Sequence, residues 1–143
     1  MNKEFVKYEQ ALALKELGFD EPCIGWYNPQ VNYKEVTTDK YWAFYLTGEW
    51  ENFKPAPLYQ QAFRWFREKH NFWVEIKVED NVKLGEQTFY WSIFGEYKTL
   101  NEKSIIRCLT DSDVDGKTFK TYEEAESACL DKLIEIVKNK KTN

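Results

Sequence analysis

Three segments of the chain open alike: Tyr8-Glu9-Gln10-Ala11, Tyr59-Gln60-Gln61-Ala62 and Tyr122-Glu123-Glu124-Ala125. A tyrosine and an alanine three residues apart share one side of a helix, so each opening offers a ring and a small residue to one packing surface. Between these openings lie short stretches crowded with aromatic and β-branched residues, which suit strands. The resulting order is α-β-β(-β)-α-β-β-β-α. It specifies an α+β fold in which an antiparallel sheet is packed by two or three helices. The first two openings, each followed by strands, also raise an internal duplication. A shared packing face is the simpler account of their likeness.

Local signals divide the chain further. Residues 5–17 form the first expected helix, with Ala11, Leu14 and Leu17 at helical spacing and Gly18 as a left-handed stop. Expected strands follow at 23–27, 33–36 and 41–46, the first two joined by a turn through Asn28-Pro29-Gln30. The stretch 47–57 contains Gly48, Pro55 and Pro57 and is the candidate long loop or internal boundary in an otherwise single compact domain over 1–143. Pro57 suits the first turn of a second helix over 58–69. In 72–79, Phe72, Val74, Ile76 and Val78 alternate with Trp73, Glu75, Lys77 and Glu79, the pattern of a half-buried strand. Strands at 88–94 and 104–109 follow. Thr121 and Glu124 then make a capping box for a last helix, whose expected inner stripe is Ala125, Cys129, Leu133 and Ile136, reinforced by Ala128 and Val137.

Composition excludes several functions. A net charge of −4 over 143 residues disfavours binding governed by phosphate neutralisation, which normally needs a basic surplus. The lysines at 138, 140 and 141 end a helix, where they meet the negative end of its dipole. Cys23, Cys108 and Cys129 are odd in number and widely spaced, which fits reduced thiols packed as small hydrophobes. No stretch approaches the roughly 20 apolar residues of a membrane span. With no apolar signal core after Met1, the expected location is the cytoplasm.

Chemistry-bearing motifs are sparse. Asp111, Asp113 and Asp115, followed by Gly116, have the spacing of a calcium loop, but the twelfth position is Tyr122 where a bidentate glutamate is needed. An acidic turn before a capped helix is the expected reading, with no cofactor; calcium is the weaker alternative. The second half shares its α-β-β-β-α order with double-stranded-RNA-binding domains. Glu123, Glu124 and Glu126 stand where such a domain needs basic residues, so duplex binding is disfavoured. His70 ends the second helix, where a catalytic base could be placed, but interaction with the terminal carbonyls of the helix is the expected role. No catalytic residue is assigned.

The feature that composition leaves over is aromatic: six Trp, nine Tyr and ten Phe make up 17% of the chain. Each ring can bury about 150–250 Å², more than a chain this short can fully enclose. Tyr27, Trp42, Trp50, Trp73 and Tyr90 are the candidates for an exposed binding surface.

The segments 8–19, 56–69 and 121–126 resemble an uncharacterised family of small phage or prophage proteins associated with Bacteroidetes. The likeness covers about half the chain. It implies a mobile-element setting and an accessory protein acting on a host component, and it carries no site residues. The expected function is therefore a non-catalytic protein-interaction module with a protein partner. The alternative is a nucleotide or single-stranded nucleic-acid binder that stacks bases on its rings beside Arg64, Arg67, Lys69 or Lys77.

Overall fold

The computed structural model describes residues 2–39, 52–81, 85–98, 104–110 and 118–142. The fold is α+β, and its elements follow the expected order. Among the described residues the strands form two separate three-stranded antiparallel sheets. The chain divides into two compact units, Met1–Ala62 and Phe63–Asn143.

The first unit holds helix α1 (Tyr8–Glu16) and strands β1 (Gly25–Tyr27), β2 (Val36–Thr37) and β3 (Lys54–Ala56). Helix α1 starts later than expected because the chain before it is used otherwise. Phe5 bridges Leu58, and the Val6 N–H donates to the Pro57 carbonyl at 2.9 Å. The buried Gln10 side chain then accepts from the Lys7 N–H at 2.9 Å and satisfies one amide at the helix start. The same oxygen accepts from the Tyr59 hydroxyl at 3.0 Å, so two of the repeated openings meet through a buried hydrogen bond. Gly18, at φ 103, ends the helix as expected. Its N–H reaches Lys15, and the Phe19 N–H reaches Leu14 at 3.0 Å.

β1 is the centre of the first sheet, in the order β2-β1-β3. Gly25, Tyr27, Val36 and Ala56 share one face by register. A side chain at Gly25 would fall 2.6 Å from the Phe5 ring and 2.7 Å from Val36, so the bare backbone makes room for both. β3 lies inside the stretch expected to be a loop. Pro55 is tolerated there because β3 is an edge strand. The expected strand at 41–46 lies outside the described residues.

Helix α2 (Tyr59–His70) contains the division between the units, which falls between Ala62 and Phe63. Pro57 precedes the helix and takes part in the pairing with Val6, so it is not the first helical residue. Asn71, at φ 57, turns the chain, and the Phe72 N–H donates to the Phe66 carbonyl at 3.3 Å.

The second unit continues with β4 (Trp73–Asn81), β5 (Glu86–Lys98), β6 (Ser104–Thr110) and helix α3 (Tyr122–Thr142). Its sheet is a meander with β5 at the centre. The first sheet instead has its first strand at the centre, so the described halves are not topological copies. This favours the shared packing face over a duplication. Ala11, Ala62 and Ala125 are all buried, whereas Tyr59 is buried, Tyr8 intermediate and Tyr122 exposed.

Register puts Val74, Ile76, Val78, Phe89, Trp91, Ile93 and Leu109 on one face of the second sheet. α3 runs along this face. Tyr122 meets Phe89 edge-on at 6.3 Å near its start, and the Lys140 ammonium donates to the Glu96 carbonyl at 2.9 Å near its end. Eighteen helical rises of 1.5 Å make about 27 Å, close to the roughly 24 Å of seven strand rises between Phe89 and Glu96. The alternation expected for β4 holds, but Val78 is 54% exposed, so burial on that face fades toward the far end of the strand.

The capping box forms in modified shape. Thr121 Oγ accepts from the Glu124 N–H at 3.1 Å, while the Glu124 carboxylate accepts from the Lys120 N–H at 3.3 Å. The expected inner stripe of α3 is buried at Ala125, Cys129, Leu133 and Val137, with Leu130 and Ile134 widening it, while Ala128 and Ile136 are only intermediate.

Gly95 lies under Phe72, which is fully buried. A Cβ there would stand 2.4 Å from the ring and 3.1 Å from the Asn71 carbonyl oxygen. Neither can retreat easily, so Gly95→Ala is expected to lower unfolding stability by about 1–3 kcal/mol. Denaturant unfolding of the two proteins checks this; equal midpoints would show that the ring is not held against the strand.

Candidate functional site

The face of the second sheet opposite α3 collects the residues best suited to contact a partner. Trp73 pairs with Phe94 across β4 and β5, Glu75 with Ser92, and Lys77 with Tyr90. Directly paired residues point to the same side, so Trp73, Tyr90 and Phe94 share this face. Trp73 is 55% exposed, while Tyr90 and Phe94 are intermediate. Ser92, between the two β5 rings, is buried and leaves the rings as the relief of the surface.

Two cations are set against these rings. The Arg67 guanidinium, from the last turn of α2, lies 5.3 Å from the centroid of Trp73. The Lys77 ammonium lies 6.0 Å from the centroid of Phe94 and 2.9 Å from the Glu75 carboxylate. Such contacts are worth about 0.5–1 kcal/mol each at exposed sites, so they orient the groups more than they stabilise the fold. Glu75, Glu79 and Glu96 occupy the same face. Its charge is therefore mixed, and a polyphosphate backbone would meet repulsion beside each attraction.

Of the five aromatic candidates, Trp73 and Tyr90 come together here. Tyr27 does not. It is 3% exposed in the first unit, and its phenol donates to the Val6 carbonyl. Burial, reinforced by Tyr59, Glu9 and Cys23, pushes its ionisation well above the ordinary tyrosine value. Tyr27 is a structural residue. Trp42, Trp50, Asp111, Asp113 and Asp115 lie outside the described residues. Phe94 was missed by residue-level reading, although its spacing of four from Tyr90 on a strand places the two on one side.

Other reactive groups are engaged structurally. The His70 ring packs edge-on to Trp65 at 4.9 Å and is tilted against Phe66, so aromatic contact holds it. Burial, then the charge of Glu21, pushes the Cys23 thiol up to about 11, which keeps it protonated and unreactive. Among the described residues no group of three or more potential ligands could hold a metal ion, and no helix is long and apolar enough to cross a membrane.

Glu126 is the exception to the usual placement of charge. It is 8% exposed on the inner side of α3, where it was expected to repel phosphate from the surface. Burial first and Glu123 second push its carboxyl up from 4.5 to about 7. A raised value means that the neutral form is favoured by folding. Stability from this group is fully present below 4.5 and is lost as pH rises through about 7. Glu126→Gln is expected to match the parent's melting temperature below the ordinary value and to melt higher above neutrality. Melting curves across that range check it; a constant difference would exclude the linkage.

The chain matches no family model, no curated protein and no solved structure.

Proposed function

We propose that the protein is a non-catalytic interaction module that docks a protein partner on the open face of its second sheet. The observation that carries this reading is Trp73, more than half exposed on β4, with Arg67 against it and Tyr90 and Phe94 on the same face. Tryptophan, tyrosine and arginine are the residues that most often dominate binding energy at protein interfaces. Their rings are rigid and lose little entropy when a partner covers them. The mixed charge of the face suits a protein surface, which can answer both signs, better than a uniform polyanion.

The stacking alternative draws on the same rings, and Arg67 and Lys77 are two of the four cations it needs. Against it stand the three glutamates on that face and a net charge of −4. Binding on the acidic start of α3 is disfavoured as well, since Glu123 and Glu124 are exposed there. The host-directed role in a mobile-element setting rests on the family resemblance alone.

Capture of partners by tagged protein from nuclease-treated lysate tests the reading, with two variants in parallel. Trp73→Ala is expected to weaken recovery of the partner at least about tenfold, the scale of an interface hot spot. Tyr122→Ala removes an exposed ring from the opposite face and is expected to leave recovery unchanged. Full recovery by Trp73→Ala would overturn the proposal. So would saturable quenching of tryptophan fluorescence by an oligonucleotide that disappears with Trp73.

A further inference from the structure

The first unit contains an open groove of about 420 Å³ that the sheet face does not use. Its volume falls within the roughly 300–1,000 Å³ of small-molecule clefts. Phe5, Tyr8, Tyr27, Tyr33 and Val36 supply apolar and aromatic wall. Tyr8 and Tyr33 lie face to face there, 4.5 Å between centroids and 3° from parallel, and Tyr27 meets Tyr8 edge-on at 5.3 Å.

Tyr33 reaches this position through an unusual backbone. The loop from β1 to β2 opens with a short 3-10 turn over Pro29–Val31, capped by Asn28, and then carries Asn32 at φ 56 and Tyr33 at φ 59. Asparagine tolerates the left-handed region, whereas a bulky aromatic there is a strained outlier. Hydrogen bonds from the Tyr33 N–H to Asn28 at 2.9 Å and from the Asn28 N–H to Glu35 at 3.0 Å hold the loop in place. Such strain is maintained where surrounding structure fixes it, and it commonly accompanies ligand sites.

The rim is charged. Lys7 and Lys34 line the groove with one acid, Glu9, so its local balance is one positive charge in a chain that is acidic overall. The start of α1 adds the positive end of a helix dipole on the same side. The Lys7 N–H is already taken by Gln10, and the cationic groups of the rim are the Lys7 and Lys34 side chains. The half-buried Tyr8 has its phenol ionisation raised by desolvation, with Tyr33 and Glu9 reinforcing this, and so offers a hydroxyl donor.

We propose that this groove binds a small planar aromatic molecule carrying one carboxylate, its ring extending the Tyr8–Tyr33 stack and its charge meeting Lys7 and Lys34. The site is independent of the sheet face, and the two readings fail separately because Trp73→Ala leaves this one untouched.

Ligand-observed NMR titration of the full chain with phenylacetate, phenylacetamide and cyclohexylacetate tests the proposal. Phenylacetate is expected to bind saturably and at least about tenfold more tightly than either analogue, one of which lacks the charge and the other the flat ring. Tyr33→Gly removes the ring and gives the left-handed position the residue that suits it, so the variant is expected to fold as well as the parent and to lose phenylacetate binding. Lys7→Gln combined with Lys34→Gln is expected to bring phenylacetate down to the level of the amide, with amide binding unchanged. Absence of saturation by phenylacetate would overturn the proposal. Equal binding of phenylacetate and cyclohexylacetate, or undiminished binding to Tyr33→Gly, would do the same.

Discussion

A missing side chain on a central strand is the constraint on which the second unit depends. At Gly95 the backbone is bare, and the Phe72 ring lies against it where any Cβ would collide. That contact fixes the end of β4 relative to β5 and starts the register that runs from Trp73 and Phe94 to Asn81 and Glu86. The Lys140 ammonium covers the Phe72 ring, 4.7 Å from its centroid, while bonding the Glu96 carbonyl. One buried ring thus ties strand, neighbouring strand and final helix together. Because α3 is held to that side, the odd-numbered partners of Phe72 on β4 are turned the other way, and Trp73 comes to the open face with Arg67 beside it. The first unit uses the same device at Gly25 under Phe5 and Val36, with a different strand order.

Charge is distributed in keeping with this division of faces. The open face carries rings with Arg67, Lys77 and three glutamates, the charged residues all exposed and able to keep their hydration. The covered face carries one carboxylate, Glu126, and it is the group whose ionisation burial opposes. A buried carboxyl close to the start of a helix gains something from the dipole, yet here desolvation and Glu123 outweigh it. Surface contacts such as Lys77 with Glu75 add little to stability. The fold is held by apolar burial and ring packing, and the exposed charges are left to govern what approaches.

Much of the architecture was legible because its signals are local. Thr121 and Glu124 marked the start of α3, Gly18 marked the end of α1, and alternation from Phe72 to Glu79 marked β4. The misreadings have physical causes. The inner face of α3 is wider than its expected stripe because a glutamate at 126 reads as exposed, although it is buried like Leu130. β3 was read as loop because Pro55 discourages a strand, and an edge position removes that objection. Two sheets were read as one because nothing in strand composition tells which strands pair. Of the site, Trp73 and Tyr90 could be selected as rings. Their meeting with Phe94 depends on cross-strand register, and Tyr33 depends on a backbone angle that aromatic identity gives no reason to expect. Tyr27 departs from its expected exposure because its ring is buried in the first unit and its phenol donates to the Val6 carbonyl.

Size explains why so many rings stay in view. A unit of about 60 residues buries only about 60% of the surface its unfolded chain exposes, well short of a larger domain. Dividing 143 residues into units 1–62 and 63–143 limits each core, while the chain carries 17% aromatic residues. Rings must then pack on one another, as Tyr8 does on Tyr33, lie on bare glycine backbone, as Phe72 does, or remain partly exposed, as Trp73 does. Only the last has no folding rationale. β4 places glutamate or lysine at the alternate positions 75, 77 and 79, and a polar residue at 73 would continue that pattern while exposing less apolar surface to water. A tryptophan at that position, more than half exposed and set against an arginine, leaves apolar surface in water that the alternation of the strand does not require.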